Sequence, residues 1–259
     1  MFRVTTNSTN GVPSGTGELI LDIRWPLPPE GLLLSSDDVH IFCIHLDVGK
    51  QRLAQLGATL SSDEIARALR FHFEKDRSRY IAARGILREI LGWLLGVEPK
   101  QLLFSCGERG KPQLADSING QFLHFNVSHS DWLALIAVSR DFEVGVDIER
   151  IRPVETTEPL VTQFFSPEEQ REWFSLPASR RAETFFDHWT RTEAFLKFNG
   201  EGIGDFPYPI FKCEGDCLVQ SLRPVPNYAG AIVVQNPAAR VLCWKWISKN
   251  DCYKAQIAA

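Results

Sequence analysis

Two stretches of this sequence carry one pattern: LSSDEIARALRFHFEKDRSRYIAARGILREIL at 60–91 and FSPEEQREWFSLPASRRAETFFDHWTRTEAFLK at 165–197. Each opens with a serine suited to cap a helix, Ser61 or Ser62 in the first and Ser166 in the second, with acidic residues behind it. Pro167 falls at the first helical position, where a missing N–H costs nothing. A charged break and a second amphipathic helix follow in both copies. Its apolar stripe is Tyr80, Ala83, Leu87, Ile90, Leu91 and Leu94 in the first, and Phe185, Trp189, Thr192 and Leu196 in the second, which Asn199 and Gly200 end. A repeated helix pair limits the chain to an α+β fold of two similar halves. Each is a small, mostly antiparallel sheet packed by helices, and a pseudo-twofold axis relates them.

Aligning Tyr80 with Trp189 pairs Arg84 with Glu193 and Arg88 with Lys197. Upstream, IHLD (44–47) pairs with VDIE (146–149), which sets His45 against Asp147 and Asp47 against Glu149. The expected organisation is a disordered lead-in at 1–17, an N-terminal half at 18–140 and a C-terminal half at 141–259. The runs PIFKCE, CLVQSL, AGAIVVQ, RVLCWKWIS and CYKAQIAA supply the second half's sheet. A groove between the halves is the expected ligand site.

VGVDIER, residues 144–150, alternates β-branched residues with Gly145, Asp147 and Glu149, the period of a strand. Both carboxylates fall on one face, where like charges repel unless water or a cation separates them. A half-exposed strand with a polar face accounts for the segment taken alone. Glu193 and Lys197, four apart on a helix, share a face, and a surface ion pair accounts for them taken alone. Together, three carboxylates from a strand and a helix suit a hard cation such as Mg²⁺, with Lys197 supplying part of the neutralisation.

Net charge is −4, which argues against a broad nucleic-acid surface, so an anionic ligand needs a local cluster of Lys and Arg. ERGKPQL (108–114) offers a basic turn with Arg109, Gly110, Lys111 and Pro112. FNVSHSDW ends a strand in Asn126, Val127, Ser128, His129 and Ser130, readable as a capping turn or as polar donors at a sheet edge. Arg70 adds a cation. No apolar run approaches a membrane span and no signal core opens the sequence. The six cysteines, including C-x3-C at 213 and 217, lack the second pair that a zinc site needs. Reduced thiols and a cytoplasmic location are the expectation.

The order RGKP, FNVSHS, GVDIE, FFSPEE and WTRTEAFLK resembles the 4′-phosphopantetheinyl transferases of the larger, surfactin-synthetase-activating type. The matched region runs from about residue 60 to 205, and the duplicated architecture extends it over nearly the whole chain. The resemblance implies transfer of the phosphopantetheine arm of coenzyme A to a serine of an apo acyl or peptidyl carrier protein, releasing adenosine 3′,5′-bisphosphate. It implies Mg²⁺ as cofactor, with Asp147, Glu149 and Glu193 as ligands, and Lys197 near the scissile phosphate. His129, with Asn126 and Ser128 and the intervening Val127, matches the segment holding the 3′-phosphate and adenosine end. Arg70, Arg109, Gly110, Lys111 and Pro112 match positions around the coenzyme A phosphates, and Asp147 also borders that ligand. Glu169 matches a further acidic residue lining the site, and Glu193, Glu169 and water are all open as the proton acceptor. The implied enzyme is a monomeric pseudo-dimer with no nucleic-acid or membrane partner. Two other readings use the same residues: a Mg²⁺-dependent hydrolase of a nucleotide pyrophosphate, and a non-catalytic carrier-binding scaffold.

Overall fold

Both serine caps form. A computed structural model of the chain describes residues 25–107, 111–118, 120–153, 157–201 and 216–247. The expected lead-in at 1–17 and the runs at 209–214 and 252–259 lie outside the described residues. The first run of elements is β1 (Asp38–His45), α1 (Lys50–Gly57), α2 (Ser62–Ala68), α3 (Glu74–Leu95), a short 3₁₀ turn, β2 (Phe104–Cys106), β3 (Pro112–Leu114), β4 (His124–Ser130) and β5 (Leu133–Ser139). The second is β6 (Val144–Arg150), α4 (Glu158–Phe164), α5 (Pro167–Ser175), α6 (Ala178–Asn199), β7 (Leu218–Leu222), β8 (Tyr228–Val234) and β9 (Arg240–Lys245).

Ser61 and Glu64 close a capping box on α2, and Ser166 and Glu169 close one on α5, each satisfying two backbone donors that a helix start leaves open. The long helices α3 and α6 both have 22 residues and both stop at a left-handed glycine, Gly96 at φ 67° and Gly200 at φ 71°. Strand pairing repeats as well. β1 pairs antiparallel with β5, and β5 with β4; β6 pairs antiparallel with β8, and β8 with β7. Each run is thus a strand, three helices and a hairpin whose second strand returns to the first.

The two sheets stack. Val39, Ile41, Cys43, Leu133 and Leu135 meet Val146, Ile148, Ile232 and Val234 in a core between them. The outer face of the first sheet, with Phe42, Ile44 and Ile136, packs on Leu87, Ile90 and Leu91 of α3. The outer face of the second, with Ala231 and Val233, packs on Ala194 and Phe195 of α6. The period-2 pattern of each strand therefore divides between an inter-sheet face and a helix face.

Three expectations change. The run RVLCWKWIS was expected in the second sheet, but β9 pairs parallel with β1 in the first. Trp244 reaches His40 there, with Nε1 donating to Nδ1 at 2.9 Å, and Arg240 pairs with Asp38. Periodicity specifies a strand and its buried face but not which free edge it joins. The alignment of His45 with Asp147 also slips by one residue. His45 lies against the Trp132 ring, which packs on the inter-sheet core, while Asp147 faces α6. An odd slip reverses every side chain. Finally, Cys43 and Cys243 are free thiols but Cys217 is disulfide-bonded, against the expectation of reduced thiols throughout. No helix among the described residues is long and apolar enough to cross a membrane.

Candidate active site

β6 is the edge strand of its sheet, with β4 of the other sheet alongside it, and α6 lies directly across its face. Gly145 permits this: a Cβ there would stand 2.1 Å from the Ala194 carbonyl oxygen and 2.4 Å from the Phe198 amide nitrogen. With the helix this close, Lys197 Nζ donates to Asp147 Oδ1 at 2.6 Å and to Ser128 Oγ at 2.8 Å. Ser128 Oγ in turn donates to Asp147 Oδ1 at 2.7 Å. A residue of β4, one of β6 and one of α6 thus converge on a single carboxylate oxygen.

Asp147 is only 2% exposed, and its other oxygen, Oδ2, is buried with no partner. Burial raises its carboxyl above the ordinary value despite Lys197, Ser128 and the Ile148 amide. Burial raises Glu149 too, against the Ser130 hydroxyl, which donates to Oε2 at 2.7 Å; the charge of Asp147 adds to the rise. Burial, with Asp147 and Glu149 beside it, pushes Glu193 up to about 7 against the pull of Lys197. Burial is the first cause in all three, and the positive charges pulling against it are only Lys197 and, for Glu149, Arg152, a shortage that leaves each raised.

That shortage is the test of fit for a cation. Among the described residues no group of three His, Cys, Asp or Glu side chains converges closely enough to hold a metal ion. The donors nonetheless suit one: all are hard carboxylate oxygens, one is buried without a partner, and their charge is under-compensated.

The remaining expected site residues divide. The segment readable as a capping turn or a sheet edge is strand up to Ser130 and turns at Asp131 and Trp132, and its alternation sends Asn126, Ser128 and Ser130 toward β6. Val127 packs on the core under α3, and His129, exposed, shares that side. His129 is therefore across the strand from Asn126 and Ser128. Loss of water around its ring, then the Lys197 and Arg79 charges, hold it below the ordinary histidine value. Lys111 is engaged elsewhere, donating to Glu143 Oε2 at 2.8 Å, the Val144 carbonyl at 3.2 Å and the Phe198 carbonyl at 3.4 Å. Pro112 opens β3. Arg70 is exposed in the turn after α2, and Arg109 and Gly110 lie outside the described residues.

Glu169 is not brought to the carboxylates. It accepts from the Ser166 amide and holds His188 Nδ1 at 3.0 Å. Burial alone would raise it, but His188 and the Ser166 amide outweigh that and bring it to about 2. A cavity of about 600 Å³ lies toward the start of α6, lined by Arg152, Thr157, Trp173, Ser179, Arg181 and Asn227 among others. None of Asp147, Glu149, Glu193 or Lys197 lines it, and its lining residues all belong to the second run, so it is not the groove expected between the halves. Sequence reasoning had no role for Arg79, which joins Asp47 to Asp131 beside β4, and placed Ser130 only among several polar donors at a sheet edge. The signal for Ser130 was present in the Asn126, Ser128, Ser130 alternation.

A family model described as the 4′-phosphopantetheinyl transferase superfamily matches residues 143–225, and one described as 4′-phosphopantetheinyl transferase, N-terminal, matches 48–141. The 4′-phosphopantetheinyl transferase HetI of Nostoc sp. is 47% identical over 184 residues, 71% of this chain and 78% of its own length. The 4′-phosphopantetheinyl transferase psf-1 of Bacillus pumilus is 30% identical over 205 residues, 73% of this chain and 85% of its own. The 4′-phosphopantetheinyl transferase Sfp of Bacillus subtilis is 21% identical over 213 residues, 76% and 92% respectively.

Proposed function

The chain belongs to the 4′-phosphopantetheinyl transferase superfamily and is a transferase of that kind, and on this premise we propose that its donor is coenzyme A and its acceptor a serine hydroxyl of an apo carrier protein. The observation that carries this reading is the convergence of Lys197 and Ser128 on Asp147, with Asp147 Oδ2 left buried and unpartnered. Such a site holds a cation and a polyphosphate better than it holds itself.

Asp147, Glu149 and Glu193 would hold Mg²⁺, which when bound supplies positive charge against the pyrophosphate of coenzyme A. The serine oxygen attacks the phosphorus bearing the pantetheine arm, and the bond to the bisphosphate oxygen breaks. A carboxylate, Glu193 directly or one acting through a water, accepts the serine proton. Lys197 turns its ammonium to the departing bisphosphate and stabilises the charge that develops there. Glu169 serves this chemistry at one remove, by fixing α5 against His188 of α6. His129 is the candidate for the 3′-phosphate and adenosine end, and Arg70 and Arg109 for the phosphates. Lys111 reaches such a ligand only by leaving Glu143.

A division into halves at 18–140 and 141–259 about a pseudo-twofold axis belongs to the same reading, supported by the repeated strand order and qualified by β9. So do action as a cytoplasmic monomer and acyl or peptidyl carriers as partners. The test is mass spectrometry of several apo-carriers after incubation with coenzyme A, Mg²⁺ and the full chain. A mass gain of one phosphopantetheine that requires Mg²⁺ is expected. Release of the bisphosphate from coenzyme A without any carrier would instead identify a hydrolase, and absence of turnover a scaffold.

A further inference from the structure

β6 is an edge strand, and its outward N–H groups have no ladder partner on that side, the Val146 amide buried and the Arg150 amide at the exposed end. β4 runs alongside without pairing its backbone, and supplies acceptors from side chains. The Val146 amide donates to Asn126 Oδ1 at 3.0 Å, and the Arg150 amide donates to Ser130 Oγ at 3.0 Å. Asn126 to Ser130 is four residues on β4, and Val146 to Arg150 is four on β6, so the seam runs in register along both strands.

The serines do more than close the edge. Ser130 accepts from the Arg150 amide and donates to Glu149 Oε2 at 2.7 Å. A hydroxyl has one proton, and with a lone pair already taken by an amide its direction is set. Ser128 is arranged alike, accepting from Lys197 and donating to Asp147 Oδ1. Each serine ties down one oxygen of one carboxylate and leaves the second open.

From this geometry we infer that Ser130 is a positioning residue: it orients Glu149 for the cation from across the sheet seam, without touching substrate itself. The inference rests on the functional reading above and names a residue that reading does not use. Outer partners of metal-holding groups are worth about 10- to 100-fold in metal affinity.

The experiment compares the full-length wild type with Ser130→Ala and Ser130→Thr. The Mg²⁺ concentration for half-maximal transfer should rise about tenfold in Ser130→Ala, with kcat at saturating Mg²⁺ within about threefold of wild type. Ser130→Thr, which keeps the hydroxyl, should restore the wild-type requirement. In the metal-free chain, hydrogen exchange at the Arg150 amide should quicken in the alanine variant and not in the threonine one. A Mg²⁺-dependent wild type with an alanine variant of unchanged Mg²⁺ requirement overturns the positioning role alone, even if the thermal midpoint drops. A wild type whose transfer ignores Mg²⁺ overturns both readings.

Discussion

β1 and β6 begin two runs of the same elements, yet they present opposite chemistry to their long helices. β1 turns Phe42 and Ile44 toward α3, where they join an apolar core with Leu87 and Ile90. β6 turns Gly145, Asp147 and Glu149 toward α6, where Lys197 meets them. In the first run the matching charges are partnered: Glu64 takes both Arg84 and Arg88, and Arg88 also donates to the Pro99 and Leu102 carbonyls. In the second run three carboxylates share one lysine, and Glu193 is pushed up to about 7. A duplicated scaffold with satisfied groups makes a core. The same scaffold with an unsatisfied charge makes a site.

The sharpest way to break this contrast is to strip the second run of its charge. Asp147→Ala should lower transfer about a thousandfold or more, measured as holo-carrier formed. The fold should survive, because the lost carboxylate was buried above its ordinary pKa rather than stabilised. Wild-type transfer by that variant would falsify its assignment. The matching change in the first run acts on stability instead. Phe42→Ala, at a fully buried position, should cost about 3–5 kcal/mol in urea unfolding. A loss below about 1 kcal/mol there would deny that α3 rests on a packed core.

Lys197→Met should lower kcat about a hundredfold with a smaller change in Mg²⁺ dependence, since lysine stabilises charge without binding the cation. Normal turnover would reduce the Asp147 ion pair to structure. The Glu193 shift carries a pH signature. Its folded-state carboxyl stands at about 7 against an ordinary 4.5, so the folded chain holds that proton more tightly than the unfolded one. Its contribution to stability is full below about 4.5 and is lost as pH rises through about 7. In Mg²⁺-free buffer the wild type should therefore weaken relative to Glu193→Gln as pH rises from about 4.5 to about 7 and run parallel to it above that; parallel profiles throughout would remove the shift. The smallest expected effect is shared by both runs: Ser61→Ala and Ser166→Ala should each cost about 1 kcal/mol, a near-equality that thermal midpoints can check.

Much of this was legible in the sequence because it is local. A serine three residues ahead of a glutamate specifies a capping box wherever it lies, and both boxes formed. Glycine after a 22-residue amphipathic run stops the helix in either copy. The alternation in VGVDIER was enough to put Asp147 and Glu149 on one face, since a strand has a period of two whatever it packs against.

What tertiary structure alone decided concerns partners. Nothing in RVLCWKWIS says that its edge belongs to β1, because any strand of that pattern satisfies any open edge until the rest of the chain occupies it. Nothing in FFSPEE separates a catalytic Glu169 from one that caps α5 and holds His188. Lys111 looks like any basic turn until Glu143 and two carbonyls are found around its ammonium. Asn126, Ser128 and Ser130 read equally as a turn or as donors at a sheet edge until β6 arrives beside them with amides for Asn126 and Ser130 to accept. Periodicity and capping are set by neighbours within a few residues, which the sequence contains. Burial, desolvation and the meeting of two strand edges depend on residues far apart in the chain, and only the packed molecule supplies those distances.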